Sequence, residues 1–135
     1  MSISHAKEAI ALQGSNAWAY DAMAQALLGL NRPLEAINAA QQAIKLTDGK
    51  FALMHFRLGS AYFKTENWRD AEQSYRKAAD LDPKEEAAAY NVAICMQRLG
   101  FYRDAANWFE EVLRRNPQYK DRADILERIK VLRSQ

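Results

Sequence analysis

Along residues 52–85, ALMHFRLGSAYFKTENWRDAEQSYRKAADLDPKE, small and apolar residues recur every three or four positions, first as Leu58, Gly59 and Tyr62, then as Ala71, Tyr75 and Ala78. Each set falls on one face of a helix. The stretch therefore predicts a helix, a tight turn and a second helix that ends before Pro83. The two faces must meet: Gly59, Ala71 and Ala78 let the backbones approach, and Leu58, Tyr62 and Tyr75 fill the space beside them.

The same spacing returns downstream. Ala71 to Ala105, Tyr75 to Phe109 and Pro83 to Pro117 are each 34 residues apart (105 − 71, 109 − 75, 117 − 83). Val92, Ala93 and Met96 take the first-helix core places, and Gly100 and Tyr102 match Glu66 and Trp68 at the turn. Asp82-Pro83 and Asn116-Pro117 each pair a capping-type residue with a proline, which ends one helix and starts another. Upstream, Met23, Ala24 and Leu27 correspond to the first set, and Ala36, Ala40 and Ala43 to the second. There the offset is 35 (71 − 36), so one residue is inserted near Asp48–Phe51, where Asp48-Gly49 replaces the proline. A surface turn absorbs such an insertion without moving the packed faces. Pro33 sits in the first turn of its helix, where proline costs least.

The two ends differ. Residues 3–13 read as a helix with Ala6, Ala9 and Ile10 near one face, closed by Gly14 and followed by a Ser15-Asn16 cap. Ala9-Ile10 and Ala43-Ile44 are again 34 apart (43 − 9), so the chain opens on what reads as the second helix of a pair whose first is missing. At the other end Ile125, Leu126, Ile129 and Leu132 form one stripe of a last helix. Glu127 and Lys130 stand where the earlier units carry Gly59 and Tyr62, and a further helix packed on them would bury unpaired charges.

This spacing resembles the tetratricopeptide repeat, whose pattern runs Trp, Leu-Gly, Tyr, then Ala, Phe and Pro over 34 residues, with His55 here in the Trp place. The resemblance implies an all-α fold: a tetratricopeptide-like α-solenoid of antiparallel helix pairs, a right-handed superhelix, with a C-terminal capping helix. It divides one domain into an N-terminal half repeat (2–14), three repeats (17–50, 52–85 and 86–119) and the capping helix (120–135). It also implies a protein–protein interaction module, a scaffold or adaptor whose first helices line a concave surface that binds a partner's peptide.

Composition narrows the alternatives. At 135 residues and 49% hydrophobic the chain suits one soluble domain or short array. Its 19 basic and 17 acidic residues are interspersed, giving +2, which argues against nucleic acid or a membrane surface as partner. The single Cys95 forms no internal disulfide, no run approaches a membrane span, and MSISHAKEAI lacks a signal-peptide core, so a cytoplasmic location is expected. Catalysis is not expected. His55 occupies a packing place, Cys95 lies between Ile94 and Met96 in a helix, and Glu85-Glu86 and Glu110-Glu111 splay apart as sequence neighbours. The five glycines are scattered and build no phosphate loop, and nothing has metal-ligand spacing, so neither cofactor nor metal is expected.

The candidate site is therefore the groove. In the middle unit the remaining inward places fall to Leu53, Phe56, Ser60 and Phe63, with Arg57 and Lys64 at the edge. Their counterparts are Trp18, Asp21, Gln25, Leu28, Ala22 and Gly29 before them, and Ala87, Tyr90, Ile94, Gln97, Asn91 and Arg98 after them. An aromatic floor rimmed by Lys64 and Arg98 marks a peptide site; the alternative is that Phe56, Phe63 and Tyr90 simply pack between helices. One branch of the family clamps the C-terminal carboxylate of chaperone tails with Lys and Asn on one first helix, Asn on the next, and Lys and Arg on the third. Here Asp21 and Gln25, then Arg57, then Ala87 and Asn91 stand in those places, and an acidic residue there repels a carboxylate. The chaperone-tail reading is rejected on that ground. The rival function is self-assembly (homo-oligomerisation) through the N-terminal end, with Ile3 and Ile10 exposed.

Overall fold

A computed structural model of the protein describes residues 16–135. The helix expected over residues 3–13, with Ile3 and Ile10, lies outside the described residues. Within them the chain forms seven helices in the order α1 Ala17–Gly29, α2 Pro33–Leu46, α3 Ala52–Lys64, α4 Trp68–Leu81, α5 Glu86–Arg98, α6 Tyr102–Arg115 and α7 Arg122–Arg133. The fold is all-α and tetratricopeptide-like: α1 packs on α2, α3 on α4 and α5 on α6, each pair rests on the next, and α7 rests on α6.

One turn recurs inside each pair. Asn31, Glu66 and Gly100 take positive φ of 58°, 60° and 86°. The amide that follows each donates five residues back, from Arg32 to Leu27, Asn67 to Tyr62 and Phe101 to Met96, at 2.9, 3.0 and 2.9 Å. This is the left-handed ending that satisfies the last carbonyls of a helix. Only Gly100 adopts it without a side-chain penalty. Leu27, Tyr62 and Met96 are also the matched core places, so one position both ends the helix and fills the interface.

Small residues set the distance within a pair. A Cβ on Gly59 would lie 2.9–3.0 Å from three ring atoms of Tyr75, closer than real side chains come. Tyr75 is buried and donates its hydroxyl hydrogen to Ser60 Oγ at 3.0 Å. Burial pushes its phenol up to about 12. Ala71, Ala105 and Phe109 continue this layer under α5 and α6, and Ile125, Ile129 and Leu132 of α7 close it. Leu126 does not belong to that stripe, being 47% exposed. At 100° per residue it lies beside Ile125 but turned off the α6 contact.

The inserted residue is visible in the longer connection between pairs. Residues 47–51 separate α2 from α3, whereas 82–85 separate α4 from α5. Asp48 and Gly49 both adopt positive φ, at 53° and 70°, and the Gly49 amide closes back on the Ile44 carbonyl at 3.0 Å. His55 is buried beneath this loop, its Nε2 donating to the Gly49 carbonyl at 3.0 Å. The imidazole thus anchors the extra backbone. The next connection is held differently, by Arg115 of α6. Its Nη1 donates to the carbonyls of Ala79, Asp82 and Glu85 at 2.9, 3.2 and 3.0 Å, while its Nε meets Glu111 at 2.7 Å.

Candidate functional site

Building the site from α1, α3 and α5 begins with what their inward stripe does. Phe56 packs edge-on against Tyr75 with centroids 5.2 Å apart, and Phe63 packs edge-on against Trp68 at 4.8 Å. Tyr90 meets Phe109 edge-on at 5.6 Å and stacks on Tyr119 at 6.3 Å. All three rings are half-buried. Each therefore spends one face on a second helix or the α7 connection and keeps the rest open. Ser60, Asn91, Ile94 and Gln97 are half-buried beside them, while Gln25, Leu53, Lys64 and Arg98 are exposed. Trp18 stands apart from this floor. It is 49% exposed at the start of α1 and leans edge-on against Phe51 at 5.0 Å.

Asp21 and Arg57 are brought together. Arg57 Nε donates to Asp21 Oδ1 at 2.8 Å, with the carboxylate side chain 7% and the guanidinium side chain 18% exposed. Sequence reasoning placed both on the groove and missed the link. The signal was present, since opposite charges 36 residues apart (57 − 21) lie one residue off the 35-residue offset between these two units. The pair neutralises the acid that stood at the carboxylate-clamp place. Arg57 bonds that carboxylate through Nε.

Charge at the far ends of these helices is unpaired. Neither Lys64 nor Arg98 has an acidic partner within 4.0 Å among the described residues. Arg98 lies over the Trp68 ring at 5.2 Å, and Trp68 abuts Phe63, the neighbour of Lys64. Two cations thus stand at one end of an aromatic floor. At the other end a hollow of about 240 Å³ opens between α3 and α5, lined by Ala52, Leu53, Phe56, Ala78 and Ala87 with Asp82 and Glu85 at its rim.

Of the residues weighed for chemistry, His55 bonds a loop carbonyl and Cys95 lies in the core. Cys95 is buried and its thiol is pushed up to about 12, chiefly by burial and further by Glu72, so it stays protonated at neutral pH. Glu72, buried on α4 beside Arg76, also has its pKa raised, burial being the largest cause. Among the described residues no cluster of His, Cys, Asp and Glu could hold a metal ion, and no helix is long and apolar enough to cross a membrane.

Comparison with known proteins agrees with this architecture. Two tetratricopeptide repeat family models match, over residues 22–95 and 62–129. The chain belongs to the tetratricopeptide repeat family. Among curated proteins it is 37% identical over 73 residues to the DnaJ homolog subfamily C member 7 homolog of Dictyostelium discoideum, covering 54% of this chain and 13% of that protein. The chain thus spans a small part of the relatives it matches, 4% to 18% of their lengths. Among solved structures, a crystal structure of MamA superposes with TM-score 0.83 at 17% identity, covering 98% of this chain and 85% of that one. The second tetratricopeptide repeat domain of human RPAP3, solved in complex with the HSP70 peptide SGPTIEEVD, superposes with TM-score 0.74 at 25% identity, covering 82% and 92%.

Proposed function

We propose that this chain is a protein interaction module that holds an extended segment of a partner protein along the inward faces of α1, α3 and α5. The reading takes residues 17–50, 52–85 and 86–119 as three repeats and 120–135 as a capping helix. One observation carries it: Lys64 and Arg98, neither with an acidic partner among the described residues, close one end of a row of half-open aromatic rings. Apolar side chains of the partner rest against Leu53, Phe56, Phe63, Tyr90 and Ile94. Acidic groups meet Lys64 and Arg98, with the amino groups of Arg57 and the amides of Gln25, Asn91 and Gln97 along the way. Trp18, against Phe51, offers a separate apolar surface at the start of α1, and Ser60 is held by its bond with Tyr75.

The human RPAP3 domain, solved in complex with an HSP70 peptide, supports peptide recognition as the role of this chain. The terminal-carboxylate clamp is not carried over, because Asp21 and Arg57 neutralise each other at its place. A library of random displayed peptides selected on the folded chain tests the reading. Apolar and acidic residues are expected to enrich together, and the Lys64→Glu, Arg98→Glu double variant is expected to lose the acidic preference. Enrichment unchanged by the double variant overturns it.

A further inference from the structure

The first helices do not line the groove evenly. α1 touches α3 directly, whereas α3 and α5 are joined chiefly through α4, on which both pack. A furrow therefore separates α3 and α5, with Ala78 of α4 in its wall at one end and Trp68 of α4 against Phe63 and Arg98 at the other. Its two ends are chemically opposite. The hollow lined by Ala52, Leu53, Phe56, Ala78 and Ala87 lies at the start of α3 and α5, with Asp82 and Glu85 on the rim. Lys64 and Arg98 lie at the last residues of the same two helices.

At about 240 Å³ the hollow is smaller than the roughly 300–1,000 Å³ of sites for whole small molecules, and it is apolar on its walls. It suits one large side chain. The two rim acids are exposed and each gives one oxygen to a local amide: Asp82 Oδ1 accepts from Lys84 at 3.3 Å, and Glu85 Oε1 from Ala87 at 3.0 Å. Neither enters an ion pair among the described residues. Arg115 touches only the backbone carbonyls here, and its charge is met by Glu111. The acids therefore remain available to a cation.

Resting on the groove reading above, we infer that the furrow binds its peptide in one charge polarity and register. A large aliphatic or aromatic side chain fills the hollow, a lysine or arginine next to it meets Asp82 and Glu85, and acidic residues reach Lys64 and Arg98. Leu53 and Lys64 are 11 residues apart on α3 (64 − 53), which is about 16 Å at helical rise. An extended chain covers that distance in about five residues. The ligand class is thus an extended segment with an apolar–basic pair followed, about five residues along, by acid.

Three fluorescein-labelled synthetic peptides test this, read by anisotropy against the whole chain. The first carries an arginine–leucine pair and two glutamates about five residues further on. The second exchanges the arginine and the glutamates, and the third has alanine for leucine. The first is expected to bind at least about tenfold more tightly than either other. The variant Ala87→Phe, which fills the hollow from an exposed position, should abolish that advantage while circular dichroism and melting temperature stay as in the parent. Equal binding of all three peptides, lost in the Lys64→Glu, Arg98→Glu variant, overturns the polarity and leaves the groove reading standing. No binding by any of them, or binding that neither variant alters, overturns both.

Discussion

Arg57 of α3 reaches across to Asp21 of α1 and is held there at 2.8 Å, so the face expected to greet a ligand is also a fastening between neighbouring helix pairs. With both side chains largely withdrawn from water, the loss of one partner strands the other. Asp21→Ala is expected to destabilise the fold by about 1–3 kcal/mol, below the roughly 3–5 kcal/mol of a fully buried broken pair because the guanidinium keeps some solvent. The double variant Asp21→Ala, Arg57→Met should recover most of that loss. Urea unfolding of the single and double variants checks it; equal midpoints for the parent and Asp21→Ala would sink the pairing.

Gly59 and Gly29 make opposite predictions from the same substitution. At Gly59 a methyl group meets the Tyr75 ring, which its bond to Ser60 and its burial keep from moving. Overpacking of about 1–3 kcal/mol outweighs the roughly 1 kcal/mol that alanine gains over glycine inside a helix. Gly59→Ala should lower the melting temperature. At Gly29, the last residue of α1, nothing lies within 4 Å of the added atom. Gly29→Ala should be neutral to stabilising by about 0.5 kcal/mol.

Two carboxylates respond to pH in opposite senses. Hydrogen bonds from Arg114, and then from Arg115, hold Glu111 down to about 2 from an ordinary 4.5. The unfolded chain takes up that proton first, so the stability from Glu111 is complete above pH 4.5 and is lost as pH falls towards about 2. Glu72 is shifted upward by burial, so ionising it weakens the fold as pH rises through 4.5 and beyond. Glu111→Gln should therefore be less stable than the parent at pH 7 with the gap closing in acid, and Glu72→Gln more stable at pH 7 with its gain shrinking in acid. Urea midpoints across pH 2.5–7 distinguish the two signs, with the upper limit close to neutral.

The helix faces were legible because they are periodic. Leu58, Gly59 and Tyr62 announce their partner face through spacing alone, and the matched offsets carry that to the neighbouring units. The one-residue slip was legible too, as a longer 47–51 connection, but its anchoring by His55 was not, because a buried imidazole bonding a loop carbonyl has no pattern in the chain. Arg115 was hidden for a similar reason. It stands where the preceding unit carries Leu81 (115 − 34), and only the fold shows its three carbonyl partners. Leu126 misled in the other direction, since an apolar residue adjacent to a stripe looks like part of it until the contacting helix sets the angle. Among the groove residues, spacing placed Phe56, Phe63 and Tyr90 on one face, yet how each ring divides between packing and open surface depends on Tyr75, Trp68, Phe109 and Tyr119 across the pairs.

The most direct test of the account is amide chemical-shift mapping of the isotopically labelled 15.4 kDa chain, titrated with a synthetic extended peptide that carries a leucine and two glutamates. The account predicts shifts concentrated at Leu53, Ser60, Lys64, Ile94 and Arg98. Shifts confined to second-helix positions such as Gln41, Gln73 and Lys77, with those groove amides unmoved, would contradict it.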